Sequence, residues 1–245
     1  MGGTNVYLHF AAKSGKSGGS SQAKVRCLTS ALLDTPPVFD AVLQEGLRDL
    51  LTWRRDVRGF QAKPLPEGTI ERLIATACLA PSVGLSEPWR FVVVEDPASR
   101  AAVRANYEAC NAAALALQDG SRRALYATLK LSGLDQAPVH IAAFAEGNCS
   151  QGHGLGRQTM PAALDFSVAI AIHTLWLAAR LEGIGLGWVS IVDPAAITKI
   201  LDIPESWHFI GYLCIGYPSE EHDVPALQRA GWDERRAPAS RILYR

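Results

Sequence analysis

Residues 165–192, DFSVAIAIHTLWLAARLEGIGLGWVSIV, decide the fold. Asp165 to Leu181 has helical composition but is apolar on nearly every side, through Phe166, Val168, Ile170, Ile172, Leu175, Trp176 and Leu177. A helix hydrophobic all round is buried all round, so this one is expected at the centre of the domain or against a partner subunit, with His173 as a hydrogen-bonded core histidine. Gly183 and Gly185 end it, and Gly187 to Val192 reads as a strand. Gly183-Ile184-Gly185-Leu186-Gly187 has the outline of a dinucleotide fingerprint, but that loop follows a strand and opens a helix, and its third glycine stands one position further on. Here a helix precedes and a strand follows, which excludes a Rossmann reading. The glycines instead permit close approach of a flat ligand to the backbone that starts Trp188-Val189-Ser190.

Working outward, Phe39 to Trp53 carries Val42, Leu43, Leu47, Leu50 and Leu51 at the spacing of an amphipathic helix. Glu67 to Leu79 reads as a second helix, stopped by Pro81. Phe91 to Glu95 is a short buried strand, and Ala98 to about Leu131 is helical with an interruption at Asp119-Gly120. Val139 to Phe144 and Phe209 to Tyr217 complete the strands. Between them Gly147 to Pro161 holds four glycines and no apolar period, the composition expected of a mobile lid. The order predicts an α+β fold, a small mixed sheet surrounded by helices, as a single domain over residues 41–245. Residues 1–40, with Lys13 to Ser21 rich in small polar residues, read as a flexible extension or leader. Gly15-Lys16-Ser17 is not a phosphate loop, because Phe10 stands where the first glycine is required.

The 245 residues carry 24 Lys+Arg and 24 Asp+Glu, and zero net charge gives no field to attract nucleic acid or an anionic membrane. Any anion site must be local. Five scattered cysteines without a CxxC pair suggest neither a disulfide framework nor a thiolate zinc site, and the six histidines lack ligand spacing, so no metal is expected. No secretory signal is read, and the longest apolar run, Val168 to Leu181, is short for a membrane span and includes His173 and Arg180. A cytoplasmic protein is the expectation.

Arg54, Arg55 and Arg58 put three guanidinium groups within five positions, beside Asp56. They form either an anion site, since guanidinium forks match phosphate oxygens, or a solvated surface cluster neutralised by Asp56. Asp56 among three cations should be ionised, as a base or as a salt-bridge partner. Ala80-Pro81-Ser82-Val83-Gly84-Leu85-Ser86-Glu87-Pro88-Trp89 joins a helix to a strand through prolines, a glycine and hydroxyls, a composition that can hold the polar edge of a planar ligand or simply make a turn.

Together, Arg54-Arg55-Asp56-Val57-Arg58, the Ala80-to-Phe91 segment, Leu129-Lys130-Leu131 before Ala137-Pro138, and Leu175 through Ile191 resemble the flavin-dependent nitroreductase superfamily, and within it the flavin-consuming 5,6-dimethylbenzimidazole synthases. The resemblance implies an α+β homodimer with FMN in clefts at the subunit interface. It implies that reduced FMN is a substrate, fragmented with O2 to 5,6-dimethylbenzimidazole, the cobalamin lower ligand, and erythrose 4-phosphate. Carried over, Arg54 and Arg55 would bind the phosphate and ribityl end. Val57, Pro81, Ser82, Val83, Gly84 and Trp89, with Gly187, Trp188, Val189 and Ser190, would border the rest of the flavin. Asp56 would be the essential carboxylate, and Ser190 the hydroxyl donating toward flavin N5. Arg235-Arg236-Ala237-Pro238 does not align cleanly with the pattern, and which of the two arginines, if either, binds the phosphate stays open. Reduced flavin would come from a separate reductase or by reduction in place with NAD(P)H. The competing expectations are an NAD(P)H-dependent FMN nitroreductase or quinone reductase, and a non-catalytic flavin-binding protein.

Overall fold

Asp40 opens the first helix, its carboxylate accepting the Leu43 amide at 2.9 Å, and α1 runs over Ala41–Trp53. The computed structural model describes residues 36–129 and 131–245, so the expectations for residues 1–35 and for Lys130 lie outside the described residues. Gly68 supplies the left-handed turn into α2 (Thr69–Ala77), and the chain then runs through Pro81 and a short 3₁₀ turn to β1 (Trp89–Val93). Asp96 caps α3 (Pro97–Ala116), and the expected break at Asp119-Gly120 separates it from α4 (Gly120–Thr128). After the short α5 (Gly133–Gln136) come β2 (Val139–Glu146), the central α6 (Ala163–Leu181), β3 (Gly185–Val189), α7 (Pro194–Ile200), β4 (Trp207–Gly216) and α8 (Ala226–Arg229).

The sheet order is β1-β2-β4-β3, and all three pairings are antiparallel rather than mixed. The parallel element is reduced to one bridge, Asp56 with Leu186. One face of the sheet packs on α2 and α6: Leu73, Ala77, Val168, Ala171, Ile172, Leu175 and Ala179 meet Ile141, Ala143, Leu213 and Ile215. The other face packs on α3 and α7, where Val103 and Ile197 meet Ala142, Phe144 and Tyr212. Each face buries alternate residues of the same strands, which is why β2 is buried from His140 to Ala145.

Three expectations change. Helix α6 is buried on one face only: Phe166, Ile170 and His173 are exposed, so His173 is a surface residue and not a core histidine. The all-round apolar pattern arises because Phe166, Ile170 and the half-buried Leu177 continue a stripe that the described residues leave largely uncovered. Helix α1 behaves alike, with no buried residue and with Val42, Leu43, Leu47 and Leu51 exposed. At 19 residues α6 is long and apolar enough to cross a membrane by composition, yet its inner face is the core of this domain. Finally, β3 begins two residues earlier than its glycine pattern suggested and ends at Val189, which leaves Ser190 exposed just beyond it.

Candidate functional site

The segment after α1 is held to the sheet by its backbone. Val57 N–H donates to the Leu186 carbonyl at 3.1 Å, and the Trp188 amide donates to Asp56 Oδ1 at 2.9 Å. Gly187 makes this approach possible, since a Cβ there would stand 2.2 Å from the Val57 carbonyl oxygen. The glycine's open face is thus taken by the arginine segment, not left for a flat ligand as the sequence suggested.

That anchorage places the guanidinium groups. Arg54 lies over the Trp176 ring, 4.6 Å from its centroid, while the Trp176 indole N–H donates to the Arg55 carbonyl at 3.0 Å. Arg55 Nε donates to the His222 carbonyl at 3.2 Å. Burial lowers the pKa of both arginines, and the next contribution in each case is repulsion from Arg235. The Nε of Arg54 is buried without a hydrogen-bond partner among the described residues. Arg54, Arg55 and Arg235 repel one another, with Asp56 and Asp223 as nearby carboxylates, and with the unmet buried donor of Arg54 they form an arrangement that could hold an anion. A phosphate monoester supplies the charge and acceptors this cluster lacks, so these residues fit a flavin mononucleotide phosphate. Sequence reasoning left the role of Arg235 open because its segment does not align cleanly with the family pattern. The available signal was the count of cations against the lone Asp56.

Asp56 is half-buried. Its carboxyl is shifted up by burial, against the Trp188 hydrogen bond and the charges of Arg58 and Arg54, which pull it down. The sequence had weighed only the cations; desolvation is the larger effect. Arg58 Nε stands 4.0 Å from Asp56 Oδ2.

The second group of expected residues sits elsewhere. Val83 N–H donates to the buried Ser167 hydroxyl at 3.0 Å, and Ser82 Oγ accepts the Glu87 amide at 3.0 Å. The Gly147-to-Pro161 loop is pinned on this segment: Gln151 Nε2 donates to the Leu85 carbonyl at 2.8 Å, and the buried Cys149 thiol donates to that of Ser86 at 3.4 Å. Gly152, at φ +76°, lies so close that a Cβ would stand 2.5 Å from the Gly84 carbonyl oxygen. Leu85, Glu87 and His153 all have positive φ. Left-handed non-glycine residues cost energy and gather where a loop must keep a special shape.

The structure therefore joins Arg54, Arg55, Asp56 and Val57 to Gly187 and Trp188, and it groups Pro81, Ser82, Val83 and Gly84 with the loop. Trp89 and Val189 are core residues, 6% and 1% exposed, beneath these two groups. Helix α6 separates the groups: Ser167 holds one and Trp176, nine residues along, holds the other, about 13.5 Å apart at helical rise. Among the described residues no three His, Cys, Asp or Glu side chains are grouped as a metal site.

The Nitroreductase family model matches residues 51–217, and the chain belongs to this family. Within it the chain is 54% identical to a 5,6-dimethylbenzimidazole synthase of Rhodospirillum rubrum over 202 residues, covering 82% of this chain and 96% of that one. A second 5,6-dimethylbenzimidazole synthase, from Rhodobacter capsulatus, is 50% identical over 80% of this chain and 95% of its own length. A solved iodotyrosine deiodinase bound to FMN and 3-iodo-L-tyrosine shares the fold, with a TM-score of 0.61 and 24% identity over 72% of this chain and 91% of that chain. The protein is an enzyme of the nitroreductase superfamily of oxidoreductases, similar to 5,6-dimethylbenzimidazole synthases.

Proposed function

We propose that this enzyme converts reduced FMN and O2 to 5,6-dimethylbenzimidazole and erythrose 4-phosphate for the cobalamin lower ligand. The observation that carries the reading is Asp56: a carboxylate fixed at one oxygen by the Trp188 amide, beside an arginine cluster with an unmet buried donor. The flavin supplies the ring that is fragmented and, with O2, the redox chemistry. Arg54, Arg55 and Arg235 hold the phosphate, and their fixed positions orient what is attached to it. Asp56, with Oδ1 engaged, has Oδ2 to accept or return a proton, which is general acid–base work. Ser190, exposed just beyond the end of β3, would supply a hydroxyl donor to the bound flavin ring. The loop pinned over Ser82 to Glu87 excludes water from the bound ring.

The working unit is a homodimer. Among the described residues, Phe166, Ile170 and His173, with the half-buried Leu177, form an exposed stripe on α6 between the arginine group at one end and the Ser82 group at the other. A two-fold partner seated on that stripe antiparallel brings the arginine group of one protomer toward the Ser82 group of the other. Ile170→Glu is expected to give a monomer by sedimentation and to lose flavin affinity with it.

The direct test mixes the purified enzyme with chemically reduced FMN, admits air, follows flavin absorbance and seeks 5,6-dimethylbenzimidazole by mass. Irreversible loss of flavin with that product is expected. Full return of oxidised FMN with peroxide overturns the reading in favour of an NAD(P)H-dependent flavin oxidoreductase.

A further inference from the structure

Arg54 and Arg55 follow α1 side by side but are held in different ways. Arg55 commits its Nε to the His222 carbonyl at 3.2 Å. Arg54 instead lies over a ring, its guanidinium carbon 4.6 Å from the centroid of Trp176. A π face attracts the charge but is a far weaker hydrogen-bond partner than a carbonyl, so the donors stay available to an anion. The third guanidinium at this end of α6, Arg180, is already paired with both oxygens of Glu221, at 2.7 and 3.0 Å. Among the described residues Arg54 is thus the arginine left with an unmet buried donor, its Nε.

Trp176 is itself well supported. Its indole N–H donates to the Arg55 carbonyl at 3.0 Å, so one side chain holds the charge of one arginine and the backbone of the next. Its ring lies 6.4 Å from that of Trp188, tilted by 45°. The Trp188 ring is seated over Gly211 on β4, where a Cβ would stand 2.2 Å from the indole nitrogen. The support of Arg54 therefore runs through two tryptophans to an inner strand of the sheet.

We propose that Trp176 is a positioning residue for anion recognition: its ring holds Arg54 and its indole N–H holds the Arg55 backbone, so that the donors of Arg54 are kept for a phosphate monoester. The proposal rests on reading the arginine cluster as the site of the flavin phosphate. A carboxylate in place of the ring would orient Arg54 as well, but it would occupy the donors the phosphate needs and offset the charge that attracts it. An aliphatic residue would leave the donors free and the long arginine side chain unfixed, so that the cost of ordering it falls on each binding event.

The test compares FMN with riboflavin, the same molecule without the phosphate, by fluorescence titration of the full-length protein. The wild-type protein is expected to prefer FMN by about 100-fold or more. Trp176→Leu should lower that preference about tenfold by weakening FMN alone, with riboflavin affinity unchanged within about twofold. Trp176→Phe keeps a ring over Arg54 and drops the N–H; it should lower the preference about threefold, and it is the second variant should the leucine protein not fold. In an Arg54→Ala background Trp176→Leu should have at most about a threefold effect, since the ring then has no cation to hold. Equal weakening of FMN and riboflavin overturns the proposal, because Trp176 would then be a support of the whole cleft. So does a preference that neither variant changes, or a tenfold effect that persists without Arg54. A wild-type protein that binds the two flavins equally overturns the phosphate reading of the cluster itself, and the role of Trp176 with it.

Discussion

The two groups of site residues are built by different physics. The Arg54-to-Phe60 segment is joined to β3 by the Val57–Leu186 backbone hydrogen bond and the Trp188–Asp56 bond, continues the sheet by one bridge, and gathers mutually repelling guanidiniums with one unmet buried donor. The Pro81-to-Trp89 segment is joined to another loop by side-chain hydrogen bonds and glycine contacts, and it carries positive φ at Leu85 and Glu87. The first stores its cost in electrostatics, the second in backbone conformation. Substitutions in the first should therefore change chemistry and affinity with little effect on shape, whereas substitutions in the second should change shape first.

The sharpest way to break that contrast is Asp56→Asn, which keeps the volume and can still accept from Trp188 through its carbonyl oxygen. Product formation is expected to fall at least about 100-fold, with FMN affinity nearly unchanged by fluorescence titration. Joint loss of binding and activity would make Asp56 a structural member of the segment and erase the distinction. Next in size is the sheet beneath the segment. His140 on β2 is opposite Cys214 on β4, which in turn is opposite Gly187 on β3. His140 is buried with Nδ1 3.0 Å from the Tyr212 hydroxyl, and burial lowers its pKa from 6.5 to about 4. Because the unfolded chain takes up the proton first, this contribution is fully present above about pH 6.5 and is lost as pH falls toward 4. The loss is about 3 kcal/mol, measurable as a falling midpoint in urea, and His140→Gln should flatten it.

Legibility in the sequence followed the same division. The arginine cluster was visible because charges after an amphipathic helix stay together wherever the segment folds, while α1 followed from its apolar period and α3, β2 and β4 from composition. What failed depended on partners distant in sequence. Antiparallel pairing of β3 with β4 is not encoded in either strand, and Gly187 was read as open to a ligand because nothing in its neighbours announces the Val57 carbonyl. His173 was placed in the core because the apolar residues around it do not say which side of α6 the chain covers. Arg235 reaches the cluster through the chain beyond β4, a stretch with no period to read. The hold of Cys149 and Gln151 on the Ser82 segment was likewise out of reach, since loop-on-loop contacts leave no repeating pattern.

Affinity gives the next prediction. Arg54→Ala removes the buried, unpartnered donor and should weaken FMN binding by about 10- to 100-fold, the worth of a charge-assisted hydrogen bond. Arg235→Ala should cost less, because its removal also relieves repulsion on Arg54 and Arg55. Isothermal titration at two salt concentrations separates the cases, since a phosphate site loses affinity with salt and a packing role does not. Equal losses for the two variants at all salt concentrations would mean that Arg235 holds the ligand as strongly as Arg54.

The smallest effect belongs to the loop pair. Gly152→Ala puts a methyl group against the Gly84 carbonyl at a residue already in the left-handed region, a clash that only loop displacement can relieve. The strain is about 1–2 kcal/mol, spent in parting the Gly147-to-Pro161 loop from the Ser82 segment and not in unfolding the domain. Amide exchange should therefore quicken at Leu85, Ser86 and Leu155 while the Val57 amide, bonded to Leu186, stays as protected as before. FMN affinity should fall only a few-fold, because the phosphate site is untouched. Unreacted flavin should instead return after air is admitted, as water reaches a ring the loop no longer covers. If exchange at Val57 quickens equally, the two groups move as one cooperative unit, and the arginine segment is less rigid than its hydrogen bonds imply.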